Sequence, residues 1–366
     1  MKFHCYKNAL HEAVSSVQKA VSNKAIIPVL EGILIVAEKN KITFTGNDLE
    51  TAIEYTLDGI VEEEGAIVLN SRIFNEIVRK LPDDKIEIIA HPDKKVEINC
   101  KNIHLEIKGL DPEGFPEVPK VDRSKSMQIN NFLLREMIKQ TIFSISSDEK
   151  MPVLTGALLE SGENFLLMVT IDGYRMSLRK ESVLGMKEGL KIVIPGKALG
   201  ELVRLIKNEE ESVHMFYEKN QILFDFGSLI FVSKLIQGEY IAYKSIYPDQ
   251  YDTTVVVNTE NLNDSIERAG LVIDEERKNP VSFEIKDEKM TVLSKTEIGN
   301  VTEVITVEKE GQDIYLSFNS KFLLDVLKNI EEETVKLSFS GELGPCVIEP
   351  VQGNEFSYVI LPVRTS

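Results

Sequence analysis

One pattern written three times limits what this chain can fold into more than any other feature. Residues 69–81 read LNSRIFNEIVRKL, residues 194–206 read IPGKALGELVRLI and residues 318–330 read FNSKFLLDVLKNI. In each copy a few apolar or small residues lead to Ser71, Gly196 or Ser320, then to Arg72, Lys197 or Lys321, and an amphipathic helix follows. The copies are 125 and 124 residues apart. An echo at that period points to one domain repeated three times, within the two or three domains that a length of 366 residues implies.

Other segments recur in the same order. Helix patterns at 8–21, 131–145 and 260–273 begin on Asn or Glu. Alternating apolar runs opening on proline (28–46, 152–170, 280–294) read as hairpins, with the turns EKNK, SGEN and KDEK. After the quoted helix each copy has a second hairpin, at 85–100, 212–226 and 334–350. A closing strand lies at 104–110, 229–236 and 357–363. The fold class is α+β: three tandem domains, each with two helices packed on antiparallel sheets. The expected domains are 1–121, 126–247 and 252–366, joined by stretches rich in turn formers and charge at 111–126 and 247–252.

The net charge of −17 and the pI near 4.9 speak against tight phosphate binding. Its distribution is uneven. Residues 7–21, 71–81, 130–145, 196–207 and 320–330 are each net positive by one or two, while 259–273 is −2. The six helices together carry +5 and the rest of the chain −22. A solvated face explains any one such helix. If the repeats set their helices on one surface, that surface is mildly positive and suits a polyanion held loosely.

No catalytic or metal motif is present. His4, His11, His91, His104 and His214 are scattered, and GxGxxG, GxxxxGK[ST], HExxH and GxSxG are missing. Three distant cysteines, Cys5, Cys100 and Cys346, argue for reduced thiols in a cytoplasm. No apolar run is long enough to span a bilayer, and the N-terminus has none of signal-peptide length. One cluster stands apart: TIDGYRMS (170–177) ends an apolar strand at a bend on Asp172 and Gly173, with Tyr174 and Arg175 next. It reads either as a plain turn or as a cleft edge, where Arg175 donates to a backbone or carboxylate.

The chain resembles the beta subunit of bacterial DNA polymerase III, the sliding clamp family. The resemblance runs from Met1 to the C-terminal VILPVRTS and is carried by IPVLEGILI with TGNDLE, GLDPEGFP, MPVLTGALLE, DGYRMS, VIPGKALGEL, EIGNVTE, FNSKFLLDVL and ILPVRT. It implies three domains of one fold and a homodimeric head-to-tail ring around duplex DNA, held without regard to sequence. It implies no cofactor, and partners that include an ATP-driven clamp loader, the replicative polymerase and repair proteins. A weakly basic hole lining fits a ring that must slide.

By the same resemblance, His104, Leu105 and Ile107 form the interface strand of the first domain, facing Leu271, Val272 and Ile273 of the third; either group also reads as core. A groove for short linear motifs maps to Leu154, Ile171, Gly173, Tyr174, Arg175 and Met176. Ile241, Ile246 and Pro345 follow, then the tail Val359, Ile360, Leu361, Pro362, Val363 and Arg364. Leu154 and Val359 also read as strand core. Apolar walls with a few polar guides suit an extended peptide. Lys24 and Lys150 fall in DNA-facing loops, and Arg72, Arg79, Lys80, Lys197 and Lys321 are lining candidates by helix position. The chain departs from the family pattern at Met151, where Arg is common, at Tyr240-Ile241-Ala242-Tyr243, where the family has Phe-Pro-Asp-Tyr, and in the acidic 259–273 helix. These departures leave a second reading open: a divergent clamp-like adaptor, apart from the main replication clamp. An enzyme with an unrecognised site between the repeats is a third.

Overall fold

The computed structural model describes residues 1–22, 27–124, 126–207, 210–272 and 280–364. The first third runs β1 (Lys2–Tyr6), α1 (Lys7–Val17), β2 (Gly32–Glu38), β3 (Lys41–Asn47), β4 (Thr51–Asp58), β5 (Ile60–Glu63), β6 (Gly65–Asn70), α2 (Ser71–Lys80), β7 (Lys85–Ala90), β8 (Lys95–Cys100) and β9 (Ile103–Lys108). The second runs β10 (Met127–Asn130), α3 (Asn131–Lys139), β11 (Gly156–Gly162), β12 (Phe165–Ile171), β13 (Arg175–Ser182), β14 (Lys191–Pro195), α4 (Gly196–Leu205), β15 (Ser212–Tyr217), β16 (Gln221–Asp225) and β17 (Leu229–Lys234). The third runs β18 (Thr253–Asn258), α5 (Thr259–Gly270), β19 (Val281–Lys286), β20 (Lys289–Lys295), β21 (Asn300–Thr306), β22 (Glu308–Gly311), β23 (Ile314–Phe318), α6 (Ser320–Leu327), β24 (Thr334–Phe339), β25 (Cys346–Pro350) and β26 (Phe356–Ile360). Each third is a strand, a helix, a run of strands, a second helix and three closing strands.

The six helices fall where the periodicity places them, with shorter ends. Asn70, Asn258 and Asn319 cap α2, α5 and α6, their side-chain oxygens accepting the amides of Ile73, Asn261 and Lys321 at 3.1, 2.9 and 3.0 Å. The helix read over 131–145 stops at Lys139. There Thr141 turns its hydroxyl back onto the carbonyl of Met137 at 2.6 Å, and a 3-10 turn over 142–144 follows. Likewise α6 ends at Leu327, and the amides of Asn329 and Ile330 beyond it bond three residues back.

The prolines read as opening strands at 28 and 152 start 3-10 turns instead, and the strands begin at Gly32 and Gly156. A Cβ on Gly156 would stand 2.5 Å from the carbonyl oxygen of Ile194, so the close approach of β11 to β14 requires glycine. Alternation alone assigns five strands to each repeat. Among the described residues there are nine, eight and nine, and all their pairings are antiparallel.

The chain packs as two compact units, 1–131 with 204–235 and 132–203 with 236–366. In the first, a five-stranded sheet (β5-β1-β7-β8-β9) and an eight-stranded sheet (β10-β15-β16-β17-β4-β3-β2-β6) carry α1 and α2. Helix α1 buries Leu10, Ala13, Val14 and Val17, one stripe at helical spacing. In the second unit, a nine-stranded sheet (β14-β11-β12-β13-β26-β25-β24-β18-β22) and a four-stranded sheet (β21-β20-β19-β23) carry α3, α5 and α6. The two large sheets cross repeat boundaries, through β4–β17 and β13–β26. The middle third of the chain is therefore divided between the units.

Candidate functional site

The residues read as a peptide groove lie in the second unit and separate into a floor and a rim. Leu154, Ile171, Met176 and Val359 are at most 4 % exposed and share one apolar cluster with Tyr240 and Tyr243. Ile241 and Ile246 pack against its margin, whereas Ile360 is fully buried in the neighbouring cluster built on α5 and α6. The departure at 240–243 is anchored from within. Tyr240 donates its hydroxyl to the carbonyl of Val169 at 3.2 Å and Tyr243 to Glu160 at 3.3 Å. Burial, with Glu160 alongside, pushes the Tyr243 phenol up to about 12. Ile241 is left half-buried between the two tyrosines.

The rim is the bend after β12 together with the C-terminal tail. Asp172 accepts the amides of Tyr174 and Arg175 at 3.0 and 3.1 Å, and Gly173 takes φ +90°, a region that favours glycine. This leaves Tyr174 exposed, its ring stacked on Phe322 with centroids 6.4 Å apart. The tail crosses beside it, with the amide of Leu361 bonded to the carbonyl of Tyr174 and the amide of Val363 to that of Ser317. Leu361, Val363 and Arg364 are exposed, and Pro345 and Pro362 half-buried.

Arg175 donates to carboxylates and to a backbone carbonyl, as the cleft-edge reading of 170–177 expects. It is buried, and its guanidinium donates to Asp172 at 2.9 Å, to Asp325 at 2.6 Å and to the carbonyl of Phe143. The Phe322 ring covers it at 4.3 Å. All three nitrogens are engaged inside the unit, so its donors are not presented to a ligand.

At the edge of the five-stranded sheet, β9 pairs with β8 alone. Ile103, Leu105 and Ile107 are half-buried, whereas Val96 and Ile98 on the neighbouring strand are fully buried. Leu105 lines a shallow apolar pocket with Ile73, Ile77, Leu81 and Ile103, rimmed by Arg72, Glu76 and Lys80. His104 faces outward, with Nδ1 2.6 Å from Asn99 and Nε2 3.3 Å from Glu106, which Lys95 also reaches at 2.6 Å. By charge, α2 stands out for its cations, and Ile73 and Ile77 do not. The signal was present: Ile73, Ile77 and Leu81 form an i, i+4, i+8 stripe beside the buried pair Phe74 and Val78.

In the second unit Leu271 is 82 % exposed, Ile298 74 % and Val304 on β21 57 %; Val272 is half-buried. Ile273 lies outside the described residues. β21 is the free edge of the four-stranded sheet, and α5 is tied to it by Arg268, whose fork grips Glu303 at 2.6 and 2.8 Å.

Of the cations read as DNA-facing, Lys24 lies outside the described residues. Lys150, Lys197 and Lys321 are exposed. Arg79 bonds Glu76 at 2.7 Å and holds that carboxyl below the usual carboxylate range, with Lys80 3.9 Å from the same group. Arg72 and Lys80 border the β9 pocket, so the structure sets them beside the sheet edge. On α5, Glu267 pairs at 2.9 Å with Lys328, the residue just after α6, which offsets part of the acidity of α5.

Three family models cover the chain in order: the N-terminal domain of the DNA polymerase III beta subunit at 1–119, its central domain at 128–241 and its C-terminal domain at 244–364. The beta sliding clamp of Bacillus subtilis strain 168 is 34% identical over 377 residues, covering 100% of both chains. The crystal structure of the B. subtilis DNA polymerase sliding clamp superposes with a TM-score of 0.97 at 35% identity, over 100% of each chain. A Pseudomonas aeruginosa sliding clamp bound to griselimycin shares the fold, with a TM-score of 0.94 at 24% identity and full coverage of both chains. Tandem α+β repeats sharing continuous antiparallel sheets define the clamp architecture, and the chain belongs to the DNA polymerase III beta subunit family, the DNA sliding clamps. It is a DNA polymerase accessory subunit. No helix among the described residues is long and apolar enough to cross a membrane.

Proposed function

We propose that two copies of the chain close head to tail into a ring around duplex DNA and act as a processivity clamp in the cytoplasm, without catalysis or cofactor of their own. The three domains, 1–121, 126–247 and 252–366, are the repeating units of that ring. The single observation that carries the reading is the end-to-end likeness to the B. subtilis clamp, with no third of the chain missing or replaced.

The ring closes through the β9 edge with its Ile73–Leu105 patch on one chain and the Leu271, Val272 and Val304 surface on the other. Apolar residues left open at a sheet edge support this. Lys150, Lys197 and Lys321 face the DNA, with Arg72, Arg79 and Lys80 near the junction between chains. Loader, polymerase and repair proteins dock short linear motifs over the floor of Leu154, Ile171, Met176 and Val359, between Tyr174 and the tail.

The test is topological. Loaded onto nicked circular DNA by a clamp loader, the protein stays bound at high salt and is lost when the circle is cut. Equal loss from uncut and cut circles refutes encirclement. The adaptor reading is favoured by the altered 240–243 stretch, by Met151 and by the acidic α5. It predicts a monomer of 41.3 kDa at micromolar concentration in place of twice that mass.

A further inference from the structure

We propose that Asp325, in the middle of α6, is a positioning residue for the peptide groove and acts through Arg175. The inference rests on the groove reading given above. The exposed lip of that groove is Tyr174, and within its own bend its backbone is held by Asp172. Asp172 closes the bend, yet Asp172 is itself held by the Arg175 guanidinium at 2.9 Å. The fork then reaches out of the bend, to Asp325 at 2.6 Å and to the Phe143 carbonyl. Asp325 and Phe322 are three residues apart on α6 and so share a face. From that face one supplies the counter-charge and the other the ring under both Arg175 and Tyr174, at 4.3 and 6.4 Å. The lip is thus referenced to α6 by one carboxylate and one ring, while the Leu361 amide fastens the tail to the Tyr174 carbonyl.

The Arg175 guanidinium makes one directed bond to each of three partners, and the three coexist only while its plane is fixed. Without the Asp325 charge, the fork keeps Asp172 and the Phe143 carbonyl but loses the contact that sets its plane against α6. The bend then samples other orientations, and the groove is competent for part of the time. Apparent affinity falls by that fraction. A lip in place one tenth of the time weakens binding about tenfold.

The experiment uses the full chain, with griselimycin, the ligand of the P. aeruginosa clamp, as probe. Leu361→Asp tests the groove itself: wild type binds and this variant does not. If wild type fails to bind, or Leu361→Asp binds as wild type does, the groove reading falls. With that reading intact, Asp325→Asn, which keeps size and an acceptor oxygen, binds about tenfold more weakly with native mass unchanged. The deciding arm is a cycle with Tyr174→Ala. Without the lip, Asp325→Asn has no further effect on affinity, and Asp325→Glu restores part of it when Tyr174 is present. Wild-type affinity in Asp325→Asn, or a full additional loss in the Tyr174→Ala background, overturns the positioning role. Tyr174→Trp adds a spectroscopic check in a chain that has no tryptophan: its emission anisotropy drops when Asp325→Asn is introduced.

Discussion

Ile73→Asp is the cleanest way to separate ring closure from folding. Ile73 is 52 % exposed and lines the pocket beside Leu105. It is the third residue of α2 after the Asn70 cap, where a carboxylate meets the positive end of the helix dipole. Substitution there leaves the folded chain as stable as before or slightly more so. The interface responds otherwise. Covering the open half of an isoleucine contributes about 1 kcal/mol, which is lost. Enclosing an unpaired carboxylate against Ile77, Ile103 and Leu105 costs about 1–3 kcal/mol more. A two-chain head-to-tail ring contains the contact twice, so a loss of about 2 kcal/mol per interface becomes about 4 kcal/mol on the dimer, roughly a thousandfold in Kd. Sedimentation across nanomolar to micromolar concentration reads this directly, as a shift from twice 41.3 kDa to 41.3 kDa. A thermal melt run in parallel shows an unchanged or higher midpoint for the isolated chain. A variant that dimerises like wild type at every concentration refutes the α2–β9 patch as interface. A midpoint below that of wild type at a concentration where both are monomeric refutes the claim that the position is free of a folding role.

Three more outcomes are expected. The Glu62, Glu87 and Glu106 carboxyls are held below the usual carboxylate range, by Lys2, by Asn99 and by Lys95 respectively. Their contribution is complete above the unfolded value of 4.5 and is lost as pH falls through the lower folded values, so the melting midpoint drops from pH 5 toward pH 3. Glu87→Gln melts below wild type at pH 7, and the two converge in acid; parallel curves would show that the carboxylate is not linked to folding. Lys321→Glu shortens retention on nicked circular DNA without changing native mass, and equal retention removes Lys321 from the DNA contacts. Burial pushes the Cys5 thiol up to about 12 and the Cys346 thiol higher still, and Cys100 is also buried. A thiol reagent at pH 8 therefore reacts slowly with the native chain and fast with three thiols after unfolding; rapid native reaction would show that the cores open.

The helices were legible because each needs only local information: an asparagine or small residue at the start and a stripe every three to four residues. The strands that join the repeats were not. β4 reads TAIEYTLD and β13 reads RMSLRKES, and neither alternates. Arg175, Met176 and Ser177 are buried in succession because β13 is covered on both faces where it meets β26. Its charges are matched inside the fold, Arg179 bonding Glu181 at 2.7 Å and Gln140 at 3.1 Å. A strand whose polar residues are satisfied by partners far along the chain has no period of its own. The groove floor is hidden for the opposite reason. Leu154, Ile171, Met176 and Val359 look like any strand core, and only resemblance to a family singled them out.

The two seams inside the chain bear on how a ring would close. At each of them a strand of one repeat pairs antiparallel with a strand of the next, β4 with β17 and β13 with β26, five residues in register each time. A third seam of the same kind needs an unblocked strand at the free end of a sheet. Sheet edges are commonly protected by proline, by a bulge or by inward charge. β9, IHLEIK, has no proline, pairs with β8 in unbroken register and turns its charged residues to the outer face, where Glu106 bonds His104 and Lys95. Its inner face is isoleucine, leucine, isoleucine, half-covered. An edge with these properties invites aggregation unless a partner of fixed register caps it. In a head-to-tail pair, β21 offers that cap: a free edge of seven residues with Val304 exposed. In the proposed ring, the device that fuses the repeats within the chain would also join chains, and closure would need no surface of a new kind.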